Sequence, residues 1–339
     1  MDDARQPDLA EPLGRRPRVL VTGAGGPAGV CFLRALGDSC ELFTGDIDAN
    51  GAGLYLVPMD RRWLLPRGDS PEYAAALLDL CRRLGVDVLV PTVDSELVPL
   101  ALTADAFSAV GTRVLVSPPV ALERCLDKWE LVRACDDVVR VPYTVLLEEG
   151  AAAAFAAGLP AVAKPRRGSG SRGIVRVDAP ADADALAHDG SYLLQELLPG
   201  TEYSVDVLVA SDGCAVAAVP RSRDKTDSGI VVACHIVNRP DLSRLAAEVA
   251  TAIGLRGISN VQVREDRTGR PALLEINPRP PGGMSLTVAA GVPMPQWAVA
   301  GLLGVRMPGH LAHRELSAVR HWEDVVLAPD ALGAVAGRV

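Results

Sequence analysis

Short apolar runs alternate with helical stretches over the first third of the chain. The runs are rich in valine and leucine and stand at residues 19–21, 41–44, 86–90 and 114–116. Between them, apolar residues recur at the spacing of a helix that covers a sheet. This alternation predicts an α/β domain with a parallel sheet at residues 18–119, ending at two consecutive prolines.

Longer β-type runs dominate the rest of the chain. Strands are predicted at residues 161–165, 173–177 and 192–197, and longer runs then follow with only short turns between them at 203–209, 215–220 and 230–237. Such spacing predicts antiparallel sheets and an α+β body. We divide this body into a small lobe with its linking helices at residues 120–195, a large lobe at 196–305 and a closing segment at 306–339.

Composition narrows the class of protein. A chain of 339 residues with 49% hydrophobic content can bury two or three domain cores. The formal net charge of −8 and the lack of a basic stripe with aromatics argue against partners such as nucleic acid or a membrane surface. Seven cysteines without a Cys-x-x-Cys pair, and no signal-type amino terminus, predict a cytoplasmic protein. Residues 1–17 are polar and are predicted to be a disordered tail.

A group of side chains with oxygen atoms stands in the second half of the predicted large lobe. Glu275 and Asn277 are two apart in a predicted strand, so both side chains leave the same face. Gln262 belongs to the preceding strand, which a turn ending at Gly269 folds back beside the first. Three such oxygen ligands suit a hard cation such as Mg²⁺. The alternative is a half-buried strand whose polar residues face water.

A lysine at the end of a buried strand precedes a loop of small residues. Lys164 supplies a point charge for phosphates. The loop that follows contains Gly168, Ser169, Gly170 and Ser171, whose amides and hydroxyls can donate to phosphate oxygens. A glycine-rich loop alone is more often a hairpin connection, so the specificity of the prediction lies in the lysine.

Two other segments carry groups suited to a nucleotide. Asp127 is expected to cap a helix, and Lys128 in its first turn is disfavoured by the helix dipole unless it binds an anion. Glu196 and Leu197 lie where one strand crosses to the next, which leaves backbone groups for an adenine edge, and Glu202 can accept hydrogen bonds from ribose. The alternative for the second segment is a surface hairpin with solvated carboxylates.

Arginines supply candidate contacts to phosphate and to a substrate acid. Arg279 follows the oxygen-rich strand and places a delocalised charge beside the expected cation. Arg221 or Arg223 is predicted to orient a carboxylate through a bidentate contact, although a charged surface turn explains them equally well. Asp94 follows the third parallel strand, where it can hold an amino group or cap the next helix.

The first strand and helix are joined by a turn that matches a dinucleotide fingerprint. Gly23, Gly25 and Ala28 have the required spacing, and Asp46 ends the second strand about 20 residues later. Pro27 removes one backbone N–H that could hold pyrophosphate. An NAD(P)-dependent oxidoreductase is therefore an alternative function, against a turn with a purely structural role.

Taken together, the candidate residues resemble the ATP-grasp superfamily, and the ending is similar to its carbamoyl-phosphate-synthetase-like branch. The landmarks, in chain order, are Asp127-Lys128, Lys164 with its loop, Gln195-Glu196 with Glu202, Gln262, and Glu275-x-Asn277-Pro278-Arg279. The resemblance implies a Rossmann-like preATP-grasp domain followed by a two-lobed ATP-grasp fold.

The resemblance also implies site roles and a reaction. ATP is expected between the lobes, with Mg²⁺ or Mn²⁺ at Gln262, Glu275 and Asn277, and with Lys128, Lys164 and Arg279 on the phosphates. The implied activity is a ligase that activates a small carboxylate, an amino acid or a related acid, as an acyl phosphate and joins it to an amine, releasing ADP and phosphate. Carboxylation or carbamoylation of a small metabolite is the alternative within this class. Many folds of this kind form homodimers.

Overall fold

A computed structural model describes residues 6–151, 155, 158–168, 172–227 and 230–339. The helices of this part of the chain are α1 (Pro27–Leu36), α2 (Tyr73–Leu84), α3 (Asp94–Leu102), α4 (Ala104–Ala109), α5 (Pro119–Leu126), α6 (Lys128–Cys135), α7 (Pro240–Ile253), α8 (Met284–Ala289) and α9 (Met294–Leu302). The strands are β1 (Arg18–Thr22), β2 (Glu41–Asp46), β3 (Arg62–Leu64), β4 (Val88–Val90), β5 (Arg113–Val114), β6 (Thr144–Glu148), β7 (Ala161–Pro165), β8 (Val175–Val177), β9 (Asp189–Glu196), β10 (Glu202–Val209), β11 (Ala215–Ser222), β12 (Lys225–Asp227), β13 (Ile230–Ile236), β14 (Gly257–Glu265), β15 (Pro271–Asn277), β16 (Leu316–Val319) and β17 (Gly337–Arg338).

The amino-terminal domain is a parallel sheet in the order β17-β3-β2-β1-β4-β5. Its central strand shows why both faces are covered. Val19 and Val21 pack into one core with Phe32 of α1, whereas Leu20 points the other way and packs with Leu77 of α2. Alternate side chains of a strand leave opposite faces, so a continuous apolar run requires helices on both sides. The predicted α/β domain is confirmed.

Two antiparallel sheets follow. The small-lobe sheet has the order β6-β9-β7-β8, and the large-lobe sheet has the order β12-β13-β11-β10-β14-β15, with β16 beside β13. Helix α7 covers one face of the large sheet, where Leu242 and Val249 pack against Val205, Val207 and Val261. The opposite face of the same strands carries the polar residues Ser204, Asp206, Asn260 and Gln262. This alternation positions the candidate site.

Helix α2 begins at Tyr73 and has Glu72 at its cap position. The closing segment is partly ordered by strands: β16 joins the large-lobe sheet and β17 pairs with β3 of the amino-terminal domain. Within the described residues, no helix has both the length and the apolar character needed to cross a membrane.

Candidate active site

The polar face of the large-lobe sheet brings the three predicted cation ligands together. Gln262 pairs directly with Glu275 across β14 and β15, and Asn260 pairs with Asn277 in the next row of the ladder. Glu275 and Asn277 are two residues apart on β15, so their side chains leave the same face. One carboxylate and two amide oxygens therefore stand side by side.

This donor set fits a hard divalent cation. Glu275 supplies a negative charge, while Gln262 and Asn277 supply neutral oxygen atoms, the ligand type that Mg²⁺ prefers. The ion usually keeps open positions for water and for substrate phosphates rather than being enclosed by protein. Among the residues that the structure describes, no three histidine, cysteine or acidic side chains form a group that could hold a metal ion, so the candidate cation ligands are this mixed set of one carboxylate and two amides.

A cavity between the two lobes, here called the lobe cleft, collects most of the predicted nucleotide contacts. Its wall includes Lys128, Lys164, Gly168, Glu196, Leu197, Glu202, Gln262 and Glu275. The wall also includes Gln195, one of the sequence landmarks, and two polar residues that sequence reasoning missed, Arg172 and Arg264. Arg264 is two residues beyond Gln262 on the same strand, so the two-residue period could have identified it.

Lys164 owes its position to the alternation of β7. Ala161 and Ala163 pack into the small-lobe core, so Val162 and Lys164 face the lobe cleft. The lysine is only 7% exposed. Burial and the nearby Lys128 lower the pKa of Lys164 to about 8, although the negative charge of Glu275 opposes this change. The ammonium group is thus a nearly desolvated cation that faces the carboxylate of the cation platform.

Helix α6 is tied to the loop that follows β7. Asp127 is buried and caps the helix, accepting hydrogen bonds from the Trp129 and Glu130 amides at 3.0 and 3.3 Å. The same carboxylate accepts from Arg166 at 2.8 Å. Burial acts to raise the pKa of Asp127, but these donors outweigh it and hold that pKa below its ordinary value. The predicted cap is therefore observed.

Lys128 also contacts the loop that follows β7. Its Nζ donates to the Gly168 carbonyl oxygen at 2.7 Å, and its amide donates to the Arg166 carbonyl at 3.0 Å. The charged end of Lys128 thus lies at the start of the predicted phosphate loop. Three predicted phosphate contacts, Ser169, Gly170 and Ser171, lie outside the described residues.

The strand crossing after β9 differs in detail from the prediction. The Glu196 amide is not free for adenine because it donates to the Tyr143 carbonyl at 2.8 Å. The Glu196 carboxylate accepts from the Tyr143 amide at 3.2 Å and pairs with Arg140 at 3.4 Å. Leu197 lines the cleft beside it. The adenine contacts available here are therefore fewer than the sequence suggested.

The two arginines predicted to orient a substrate acid are both engaged within the large lobe. Arg223 pairs with Glu202 at 2.7 Å and donates to the Ser204 hydroxyl at 3.1 Å. Arg221 is 2% exposed and pairs with the buried Asp206. The structure contradicts a substrate role for Arg221, because a carboxylate would have to displace a buried partner.

Asp206 explains why Arg221 is buried. Its carboxylate also accepts from Asn260 Nδ2 at 2.8 Å and from Thr287 Oγ1 at 2.6 Å. This network joins β10, β11 and β14 to α8, and Asp206 lies in the same row of the sheet as Asn260 and Asn277. Local sequence patterns do not indicate this network, because its four members come from four separate elements.

Arg279 lies in a different place from the one predicted. Its guanidinium forms a two-point ion pair with Asp94, at 2.7 and 3.0 Å, instead of lining the lobe cleft. Asp94 is the first residue of α3, and the cap position belongs to Val93. The capping role expected for Asp94 is taken by Glu96, which accepts from the Thr92 and Val93 amides.

Two further cavities adjoin this ion pair. The junction cavity is lined by Asp94, Ser95, Lys128, Arg167, Gly168, Glu275 and Asn277, among others. The outer cavity lies on the amino-terminal domain and is lined by Gly23, Asp46, Arg67, Thr92, Asp94, Glu96 and Arg279, among others. The junction cavity shares residues with both of the other cavities, so it connects them.

The residues of the dinucleotide fingerprint have a structural role within the turn. The Asp46 carboxylate accepts from the Gly25 amide at 2.8 Å and from the Asp48 amide at 3.0 Å. A side chain at Gly25 would meet the backbone of Gly51 at 2.8 Å. Both diagnostic residues therefore serve the turn itself, and they no longer support the oxidoreductase alternative.

Comparisons with known proteins agree with this architecture. Residues 19–115 match the family described as PylC-like, N-terminal domain, and residues 188–325 match the family described as ATP-grasp in the biosynthetic pathway with Ter operon. A D-alanine–D-alanine ligase of Glaesserella parasuis is 31% identical over 138 residues, which is 36% of this chain and 45% of that protein. The chain thus matches less than half of the length of this relative.

Two solved structures show the same fold. The biotin carboxylase of Campylobacter jejuni has a TM-score of 0.71 at 16% identity, over 86% of this chain and 72% of that chain. An L-amino acid ligase from Bacillus licheniformis has a TM-score of 0.62 at 16% identity, over 85% of this chain and 74% of that chain. The predicted resemblance is confirmed: residues 188–325 match an ATP-grasp family, residues 19–115 match a PylC-like amino-terminal domain, and the chain has the fold of the solved ATP-grasp enzymes that it resembles.

Proposed function

We propose that the protein is an ATP-dependent ligase that activates a small carboxylic acid as an acyl phosphate and joins it to an amine, releasing ADP and phosphate. The observation that carries the proposal is the shared lining of the lobe cleft by Lys164 and Glu275. A desolvated cation and an oxygen platform for a divalent ion face one another there. Polyphosphate and its metal ion need this combination of charges.

The charges placed around the lobe cleft suit phosphoryl transfer from ATP to a carboxylate. Bound Mg²⁺, held by Glu275, Asn277 and Gln262, would neutralise phosphate oxygens. Lys164 and Lys128 add positive charge from the opposite wall, where charge spreads over the transferring phosphoryl group. A carboxylate oxygen attacks the γ-phosphorus, and the bond to the β-phosphate oxygen breaks with ADP as the leaving group. The amine then attacks the acyl carbon, and phosphate leaves.

This route requires that the reactants be oriented and that the phosphate charges be neutralised, and it does not need a nucleophilic side chain. The predicted nucleotide contacts at Glu196, Leu197 and Glu202 lie along the same cleft and lead away from the cation platform. The junction cavity adjoins the other end of that platform through Glu275 and Asn277. The acid is therefore expected to approach from the junction cavity, with the adenosine at the opposite end.

Trapping with hydroxylamine tests the proposal. Purified protein is incubated with Mg-ATP, hydroxylamine and a panel of small acids that includes the common amino acids. An acid-dependent hydroxamate, with one ADP formed per hydroxamate, is the expected result. ATP consumption that requires bicarbonate instead of an added acid would favour the carboxylation alternative. Absence of any acid-dependent ADP formation would refute ligase activity.

A further inference from the structure

Asn260 belongs to a row of polar side chains that crosses three strands of the large-lobe sheet. It pairs directly with Asp206 of β10 on one side and with Asn277 of β15 on the other. Side chains directly opposite each other on antiparallel strands leave the same face of the sheet, with Cβ atoms about 5 Å apart. Asn260 therefore lies between a fully buried carboxylate and a predicted ligand of the cation.

The Asp206 carboxylate fixes the orientation of the Asn260 amide. Its Oδ2 accepts hydrogen bonds from the Arg221 guanidinium and the Thr287 hydroxyl, and its Oδ1 accepts from Asn260 Nδ2 at 2.8 Å. A carboxylate that is paired with a guanidinium accepts hydrogen bonds and does not donate them. The NH2 end of Asn260 must therefore face Asp206. Because the two ends of a planar amide point in different directions, the Asn260 carbonyl oxygen is turned away from β10, toward β15.

The side chain of Asn277 needs a neighbour that sets its direction. Only the carbonyl oxygen of an amide can bind a cation, because the NH2 end carries donors alone. Glu275 presents an oxygen atom in either orientation, whereas Asn277 does so in only one. Among the residues that the structure describes, the Asn277 side chain has no hydrogen-bond partner, and the Asn260 side chain has only Asp206.

We propose that Asn260 is a positioning residue that selects the orientation of the Asn277 amide. Its carbonyl oxygen accepts a hydrogen bond from Asn277 Nδ2, which leaves Asn277 Oδ1 for the divalent cation. The order of donors and acceptors is thus fixed from Asp206 through Asn260 to the metal ligand. This inference rests on the metal site of the proposed function, but it does not depend on which acid or amine the enzyme joins.

The burial of Asn260 supports this role. The residue is 3% exposed, so its carbonyl oxygen is nearly withdrawn from water. Buried polar atoms in proteins are almost always hydrogen-bonded, because an unpaired one loses its interaction with water and gains nothing in return. The Asn277 amide lies directly across the strand pair. One hydrogen bond therefore gives the Asn260 oxygen a partner and gives Asn277 a direction.

Manganese binding tests the inference without a ligase assay. Mn²⁺ bound by the protein in the presence of ADP is measured from the loss of the free-ion signal in electron paramagnetic resonance. Asn260→Leu keeps a side chain of similar size but removes the oxygen. The Kd for Mn²⁺ should rise by about 10- to 100-fold, which is the usual effect of removing a group that orients a metal ligand. The melting temperature shows whether the variant is folded.

Asn277→Asp supplies the decisive comparison. Its carboxylate has oxygen atoms at both ends, so it needs no neighbour to select an orientation. Adding Asn260→Leu to Asn277→Asp should therefore change the Kd for Mn²⁺ by less than about threefold, because the two changes act on one interaction.

Thr287→Val is the matched control for damage to the buried network. It removes a donor from Asp206 Oδ2, while Asn260 keeps its contact with Oδ1. The melting temperature should fall because one buried hydrogen bond is lost, but the Kd for Mn²⁺ should stay within about threefold of the wild-type value. A loss of Mn²⁺ affinity in Asn260→Leu alone is then due to Asn277 and not to general destabilisation.

Two results would overturn the inference. One is an unchanged Kd for Mn²⁺ in Asn260→Leu. The other is an equal loss of affinity in the wild-type and Asn277→Asp backgrounds, which would make Asn260 a metal ligand itself or a purely structural residue. If Asn260→Leu does not fold, Asn260→Ser replaces it with the same expectations, because its hydroxyl can donate to Asp206 but is too short to reach Asn277.

Failure of the proposed function is recognised separately. A wild-type protein that binds no Mn²⁺ in the presence of ADP would remove the metal site and this inference together. A protein that binds Mn²⁺ with the expected dependence on Asn260 and Asn277, but forms no hydroxamate from any acid, would refute the ligase reaction and leave the role of Asn260 supported.

Discussion

Gln262 and Glu275 are directly opposite each other on the paired strands β14 and β15. Their side chains share the polar face of the large-lobe sheet with Asn277, and Glu275 brings the sole negative charge of these three groups. Lys164 faces that charge from the small lobe. The two lobes therefore meet through opposite charges at the point where a metal-bound polyphosphate would lie.

Replacing Glu275 by glutamine should separate metal binding from nucleotide binding. The variant keeps the shape of the side chain but removes its charge, so we expect acid-dependent ADP formation to fall by at least about 100-fold, equivalent to roughly 2.7 kcal/mol. The Mg²⁺ concentration needed for half-maximal activity should rise. Magnesium titration of ADP formation measures both effects.

Gln262→Glu supplies the comparison for that prediction. It adds a second carboxylate at the neighbouring position, so the Mg²⁺ requirement should fall while the fold is retained. An identical Mg²⁺ requirement in the wild-type protein and Glu275→Gln would exclude Glu275 as a metal ligand.

Lys164→Met should weaken nucleotide binding and strengthen the fold. The pKa of Lys164 is lowered to about 8 by burial. Below pH 8 the folded protein bears the whole cost of burying the charge, so the variant should be more stable by about 1–3 kcal/mol at pH 7. The difference should shrink between pH 8 and 10.5, because the folded protein then loses the proton that the unfolded chain retains.

Urea unfolding across this pH range and equilibrium binding of Mg-ATP measure the two effects of Lys164→Met. Mg-ATP affinity should fall by at least about tenfold, since one phosphate contact is lost. Lys225→Met removes a lysine from an exposed position and should change neither quantity. Wild-type Mg-ATP affinity in Lys164→Met would contradict its assignment to the phosphates.

Local periodicity predicted the parts of the site that lie on regular strands. The two-residue repeat brought Glu275 beside Asn277, and the short turn after β14 brought Gln262 opposite them. The apolar run that ends at Lys164 likewise fixed which way the lysine points. In each case the direction of the side chain follows from the alternation of side chains along a strand, which can be read from the neighbouring residues in the sequence.

The partners of the arginines could not be predicted in this way. The partner of Arg221 is 15 residues away on the adjacent strand, and the partner of Arg279 is 185 residues away in another domain. No local pattern encodes such pairings, because they depend on how sheets and domains are packed. The sequence allowed Asp94 to be a helix cap, but in the structure Asp94 forms an ion pair with Arg279 of the other domain.

Gly25→Ala should destabilise the amino-terminal domain without any link to a dinucleotide. The new Cβ would lie 2.8 Å from the Gly51 Cα, and backbone cannot move away as a flexible side chain can. We expect a loss of about 1–3 kcal/mol, visible as a lower melting temperature. Gly309→Ala, where no atom lies within 4 Å of the added Cβ, should change stability by less than about 0.5 kcal/mol.

A titration with NADH completes the test of the glycine turn. The wild-type protein should show no saturable change in NADH fluorescence, because Asp46 already holds the turn through the Gly25 amide. Tight NADH binding that Gly25→Ala abolishes would restore the oxidoreductase alternative.

Glu96 should make stability fall as pH rises toward neutrality. Burial raises the pKa of Glu96 to about 7, against the hydrogen bonds from Thr22 and the Val93 and Thr92 amides that favour its ionised form. Between about pH 4.5 and 7 the unfolded chain has lost the proton that the folded protein keeps. The free energy of unfolding therefore decreases across this window, by about 3 kcal/mol in total for this one site.

Glu96→Gln removes the titration but keeps an oxygen that can accept the same hydrogen bonds. The variant should be more stable than the wild-type protein at pH 8, with the difference disappearing as the pH falls to 4.5. Urea unfolding at several pH values measures this, and Glu123→Gln, at an exposed position on α5, controls for the change of residue type. Parallel stability profiles for Glu96→Gln and the wild-type protein would mean that Glu96 stays ionised in the folded protein throughout this range.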